Sequence, residues 1–145
     1  MPRKVNFKID PAAGKGLKQF LGELELAIME AVWDHAPITV AEVVARLEQA
    51  NRSLAYTTVM TVMSRLTEKG WLSAEKGGRA YAYRPVHSRE KAEAAAVGEV
   101  VRALLRDFGA VAVAQFVKEL DELDRTQLAK LAELAKEDAV AGEEA

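Results

Sequence analysis

This sequence predicts a mainly α-helical protein with one small β-hairpin, and three of its features do so. Apolar residues recur at helical spacing in three consecutive stretches between residues 21 and 69. Residues 71–85, WLSAEKGGRAYAYRP, alternate on either side of a Gly-Gly pair, which is the chemistry of a tight hairpin. After Pro85 the composition turns to Ala, Val, Leu, Glu and Lys in long stretches with wide apolar faces, so a second, wholly helical region follows.

The elements follow in order. Residues 1–19 contain Pro2, Pro11, Gly14 and Gly16 and hold no sustained period, which predicts a flexible basic arm. In LGELELAIMEAVWDHA, Leu21, Leu24, Ile28, Ala31 and Val32 define a first helix, which Pro37 ends. Thr39 to Glu42 has the Ser/Thr-x-x-Glu form of a capping box, and Val40, Val43, Val44 and Leu47 make the apolar stripe of a second helix. QANRSLA supplies a turn. A third helix, about residues 55–69, closes at Lys69-Gly70, with Gly70 suited to the left-handed position past a helix end.

A hairpin of about residues 71–86 comes next, turning at Gly77-Gly78. Tyr81 and Tyr83 share one face of its return strand, and at least one of them is expected to pack against the helices. Beyond it, Ala92, Ala95, Ala96, Val100, Leu104 and Phe108 line one side of a long helix that Gly109 breaks. AVAVAQFVKEL forms a short helix, and Asp124 to Gln127 caps a last one with Leu128, Leu131, Leu134 and Ala135 on one face. The expected organisation is a basic arm (1–19), a helix-and-hairpin domain (20–87), a helical domain (88–138) and an acidic C-terminal tail (139–145).

The third helix carries the functional signal. At about 100° per residue, Val59, Val62, Met63 and Leu66 share one arc, while Thr57, Thr58, Thr61, Ser64 and Arg65 fill another. The first arc belongs in a core. The second presents short side chains plus one long cation, so the helix backbone can lie deep in a DNA major groove. There, hydroxyls meet base edges or phosphates, Thr methyls meet thymine methyls, and Arg reaches a guanine or a phosphate. A merely solvated face usually carries Lys, Glu and Gln, because Thr is a poorer helix former. A helix of this kind leading directly into a hairpin is the order of a winged helix-turn-helix, with Arg79 at the wing tip placed to meet the backbone or the minor groove. A solvated turn cation is the plainer role for Arg79.

Charge is distributed accordingly. The net value of −2 divides into +4 over residues 1–19, −5 over 20–50, +4 over 51–87 and −5 over 88–145. Positive charge thus gathers on the helix-wing segment and the arm, where phosphates would sit. With no cysteine, disulfides, thiolate metal sites and thiol redox sensing are excluded. No apolar run approaches the ~20 residues of a membrane span, and the N-terminus lacks the apolar stretch of a signal peptide, so a cytoplasmic location is expected. His35 and His87 form neither a metal spacing nor a nucleophile-base pair, and no phosphate loop, dinucleotide fingerprint or Gly-x-Ser-x-Gly elbow is present. Neither an enzyme nor a cofactor is expected.

About fifty residues of amphipathic helix after Pro85 cannot form a satisfying core alone. Folding back on the N-terminal domain is one solution. A symmetric homodimer is the more economical one, because it also places two reading helices on a two-fold-related site. Val100, Leu104, Phe108, Phe116, Leu120, Leu128, Leu131 and Leu134 are its candidate contact residues.

Over residues 20–137 the chain resembles the bacterial penicillinase-repressor family, winged-helix repressors of β-lactamase and related genes. LGELELAIMEAVW, LAYTTVMTVMSRLTEKG and RAYAYRPV carry the resemblance in this order and spacing. It implies a homodimeric repressor whose third helix enters the major groove at palindromic operator DNA with TACA/TGTA-like cores. Thr57, Thr58, Thr61 and Arg65 would face DNA, with Tyr56 at the helix start and Arg79 in the wing. Met60 stands where some members carry a basic side chain, so the operator sequence does not carry over. The regulated genes the resemblance suggests are those of β-lactam resistance, the cell wall or stress.

Related repressors are cleaved by a membrane sensor-protease at an Asn-Phe bond, and the matching bond here is Gln115–Phe116. Gln replaces Asn, and Phe116 as a plain core anchor is the alternative. Copper-responsive relatives sense metal through C-terminal cysteines, which this chain lacks. Two other functions fit the same fold: a ligand-sensing regulator with an effector pocket between the helical modules, and a winged helix used only for protein contacts.

Overall fold

The first long helix, α1 (Glu23–His35), is surrounded by the elements that carry the rest of the N-terminal half: α2 (Val40–Gln49), α3 (Tyr56–Glu68) and the hairpin β1 (Leu72–Gly77) and β2 (Ala80–Pro85). Three further helices follow, α4 (Arg89–Phe108), α5 (Ala110–Asp121) and α6 (Arg125–Glu144). This computed structural model describes residues 8–123 and 125–144, with side chains as far as residue 137. Arg3 and Lys4 of the basic arm, the cap residue Asp124 and the side chains of the acidic tail lie outside the described residues.

Because α1 packs on α2, α3 and β2 together, its buried arc is wider than a single stripe. Ile28, Met29 and Val32 are wholly buried, and Met29 takes the place in the core expected of Ala31, which is half-buried. The stripes of the next two helices are as expected at their centres. Val40, Val43 and Leu47 of α2 and Val59, Met63 and Leu66 of α3 are buried, with Val44 and Val62 packed at the edge.

Local chemistry sets the ends of these helices. Thr39 Oγ1 accepts the Glu42 amide at 3.2 Å, which caps α2, and the Glu25 carboxylate accepts the Gly22 amide at 3.0 Å at the start of α1. Helices α2 and α3 end in the same way. The Arg52 amide bonds the Leu47 carbonyl at 2.8 Å and the Trp71 amide bonds that of Leu66 at 2.9 Å. Each passes over a left-handed residue, Asn51 at φ 63° and Gly70 at φ 88°. At the second of these ends Leu66 and Trp71 are both buried, so the closing turn also joins the core.

The hairpin is antiparallel, pairing Leu72 with Pro85 through to Gly77 with Ala80. Its two loop residues are therefore Gly78 and Arg79, one position later than the expected Gly77-Gly78. Gly78 has φ 68° and Arg79 is not left-handed, the requirement of a hairpin turn that needs glycine first. Ile38 adds a one-residue third strand, exchanging both backbone hydrogen bonds with Tyr83 at 3.1 and 2.8 Å. This docks the base of the wing. Tyr83 is 7% exposed and Tyr81 is 54% exposed, so on one strand face the inner ring fills the core and the outer one projects beyond its edge.

Two expectations about organisation change. The segment assigned to the arm is folded from Pro11 to Gln19 into two short 3-10 turns, Pro11–Ala13 and Gly16–Gln19, with Leu17 and Phe20 against the core. Turns of three and four residues are too short to show a helical period. The second change concerns the domain boundary, expected after residue 87, which falls between Val101 and Arg102. Ala92 and Ala96, 2% and 0% exposed, belong to the N-terminal core. A clamp at the start of α4 helps to hold them there: Trp33 Nε1 donates to the His87 carbonyl at 3.0 Å, and Arg89 bonds Asp34 at 2.9 Å while lying 5.4 Å from the Trp33 ring centre.

In the second unit Gly109, at φ 52° and ψ −119°, makes the corner between α4 and α5, a conformation that only glycine adopts readily. The backbone of α6 is helical through Glu144, so the expected tail continues that helix as far as that residue. No helix among the described residues is long and apolar enough to cross a membrane.

Candidate nucleic-acid interface

Helix α3 divides into a buried and an open side. Val59, Met63 and Leu66 are 0% exposed, while Tyr56, Thr57, Thr58, Met60, Thr61, Ser64 and Arg65 are all exposed. The polar arc expected from the helical period is therefore a real surface.

One hydroxyl on it is committed. Thr61 Oγ1 donates to the Thr57 carbonyl at 2.8 Å, so in the free protein Thr61 presents its methyl and an acceptor lone pair rather than a proton. Thr67 makes the same bond inward, to the Met63 carbonyl at 2.8 Å. Thr57, Thr58 and Ser64 keep the donor role expected of the face.

Charge is focused more sharply than the segment total suggests. Arg52 pairs with Glu23 at 2.9 Å, Lys69 with Glu25 at 3.0 Å, and Arg84 with Glu75 at 3.8 Å. Two of these pairs are exposed and Lys69–Glu25 is partly buried; exposed pairs contribute little stability, but each of the three offsets a positive charge locally. Arg65, Lys76 and Arg79 have no ion-pair partner among the described residues. The uncompensated cations of residues 51–87 therefore lie on α3 and at the end of the wing. Periodicity does not single out Lys76 as DNA-facing; its place beside the Gly77-Gly78 pair is the only signal the sequence offers for it.

The wing tip is unobstructed, since a Cβ added at Gly78 would meet nothing within 4 Å. At the wing's base, burial pushes the Tyr83 phenol pKa up, and the neighbouring Tyr56 and Tyr81 phenols push the same way.

The apolar residues of the second unit stand differently. Leu104, Phe108, Phe116, Leu120, Leu128, Leu131 and Leu134 are all exposed in the single chain, from 37% for Leu104 to 61% for Phe108, and Val100 is half-buried. Phe116 is 41% exposed, so it does not anchor the core of its own chain; α5 buries only Ala112 among its described residues. Leu104, Phe108, Val111, Ala112 and Phe116, with Gln115 and Glu119, line an apolar groove of about 280 Å³. Gln115 and Phe116 lie in the middle of α5. No group of three or more His, Asp or Glu among the described residues is placed to hold a metal ion.

Three helices, a docked hairpin and an open polar face on the third helix define a winged-helix DNA-binding regulator. The chain belongs to the penicillinase repressor family, whose model matches residues 21–137. This is a family of transcriptional repressors and not of enzymes. The transcriptional regulator BlaI of Mycobacterium tuberculosis is 42% identical over 121 residues, covering 79% of this chain and 84% of that protein. The penicillinase repressor of Bacillus licheniformis is 32% identical over 65 residues, covering 45% of this chain and 50% of that protein. Among solved structures, the DNA-binding domain of the repressor BlaI aligns at 30% identity over 48% of this chain and 83% of that chain, with a TM-score of 0.43. The B. licheniformis BlaI monomer in complex with the blaP half-operator aligns at 30% identity over 48% and 84%, with a TM-score of 0.42.

Proposed function

We propose that this chain is a homodimeric transcriptional repressor that reads a palindromic operator with α3 and steadies itself on the backbone with the wing. The observation that carries the reading is the exposed Thr/Ser/Arg face of α3 together with the uncompensated Arg65, Lys76 and Arg79. Tyr56, Thr57, Thr58, Thr61, Ser64 and Arg65 are the groove-facing set, and Arg79 is the wing contact. The M. tuberculosis and B. licheniformis relatives, a transcriptional regulator and a penicillinase repressor, support the same role, with genes of β-lactam resistance, the cell wall or stress as the regulon.

The test starts from double-stranded DNA selected out of a randomised pool by the full chain. Enrichment of an inverted repeat whose affinity falls steeply with salt is expected, because phosphate neutralisation releases counterions. Arg65→Ala should weaken specific binding by about 1–3 kcal/mol if its guanidinium holds a guanine bidentately. Unchanged affinity in that variant removes Arg65 from the reading surface. Absence of any enriched sequence removes operator recognition.

Dimerisation is supported by what the second unit leaves uncovered, since a monomer rarely exposes so many large apolar side chains together. Relief of repression by a membrane sensor-protease at Gln115–Phe116 belongs to the same reading. Cleavage there detaches Leu120, Leu128, Leu131 and Leu134 from the rest of the chain and so weakens the dimer. Both residues are exposed but helical, so α5 has to unwind before a protease can take them as an extended strand. Co-expression with the sensor under β-lactam challenge should yield fragments divided at this bond; a chain that stays intact while the genes are induced excludes it.

A further inference from the structure

Helix α3 carries one exposed residue that cannot do what its neighbours do. Met60 is 41% exposed, whereas Met29 and Met63 are wholly buried. The core side of the helix is already filled by Val59, Met63 and Leu66, so Met60 is not a displaced core residue. Helical geometry places it on one row with Tyr56 and Ser64, four residues to either side, next to the row of Thr57, Thr61 and Arg65. Hydroxyls and a guanidinium end in groups that hydrogen-bond base edges and phosphates. A thioether ends in a methyl and offers only a weak acceptor.

An apolar side chain in the middle of a polar reading face needs an apolar partner. The edges of the base pairs present one such feature in the major groove, the C5-methyl of thymine. Methionine suits it, because its unbranched, polarizable chain adapts to an irregular surface without a fixed shape.

We propose that Met60 is a specificity-determining residue that reads a thymine by packing its thioether end on the C5-methyl. This rests on α3 being the reading helix of an operator-binding repressor. It adds a base identity that hydroxyl hydrogen bonds do not fix, since these go to donors and acceptors of several bases, and its longer chain reaches beyond the short Thr methyls of the same face.

The experiment uses the operator selected by the full chain, with each thymine replaced in turn by deoxyuridine, which removes only the methyl. Wild type, Met60→Ala and Met60→Leu are titrated on every duplex. At one thymine of the half-site, wild type is expected to lose about fourfold in affinity, the factor that ~0.8 kcal/mol for one buried carbon converts to. Met60→Ala should be indifferent to that methyl, and Met60→Leu should keep the preference for it. Equal methyl dependence in wild type and Met60→Ala at every position overturns the assignment while leaving operator reading intact. Failure to select any operator overturns the operator reading itself, and this assignment with it. Met60 is exposed, so all three proteins are expected to melt alike, and a matched melting temperature confirms that binding differences arise at the interface.

Discussion

Phe108→Glu combined with Leu131→Glu is expected to leave a folded monomer that has lost about 10²–10⁴ of its affinity for a two-half-site operator. The two side chains are 61% and 43% exposed in the single chain, so a carboxylate there costs the protomer little. In an apolar interface each carboxylate has to be desolvated without a partner, which is far more costly. Once the dimer is lost, the second half-site is no longer bound intramolecularly, and only single-site affinity remains. Sedimentation equilibrium reads the mass, circular dichroism the helicity, and titrations on full and half operators the binding. Half-operator affinity equal to that of an isolated wild-type half-site separates loss of the dimer from damage to α3. A wild type that sediments as a monomer at micromolar concentration removes the dimer from the proposed function.

The second large effect lies in the core. Ile28→Ala should destabilise the N-terminal unit by about 2–5 kcal/mol, through lost transfer energy and the cavity left behind. That is a large share of the roughly 5–15 kcal/mol that holds a typical domain folded. Ile28 is 0% exposed on the helix that packs on α2, α3 and β2 at once, so its neighbours cannot collapse inward without moving α3 or the hairpin. The urea midpoint should fall at nearly constant slope. Glu30→Ala, exposed on the same helix, should stay within about 0.5 kcal/mol of wild type and serves as the control. Equal midpoints for the two variants would show that α1 is not the centre of the core.

Much of the site is legible in the sequence. The exposed and buried arcs of α3 follow from a 3.6-residue period, and the hydroxyls and Arg65 lie where that period puts them. The capping oxygen of Thr39 and the left-handed Gly70 were likewise readable, because a cap acts within a few residues of itself. Less legible were Lys76, Met60 and the committed hydroxyl of Thr61. Lys76 gains its meaning only when Arg52, Lys69 and Arg84 are seen to be paired, and two of those pairs join residues 29 and 44 positions apart. A summed segment charge counts all of them alike.

By itself the sequence determined most of what depends on near neighbours: the helices of the N-terminal half and their apolar stripes, the Thr39 cap, the hairpin to within one residue of its turn, and a chain without thiol chemistry. Only the tertiary structure decided which cations stay uncompensated, that Tyr83 rather than Tyr81 enters the core, that Met29 rather than Ala31 completes the α1 face, and that the first unit ends inside α4. Periodicity shows which side of an element is apolar. How wide an arc is buried, and which charges meet, depends on the elements that approach from elsewhere in the chain.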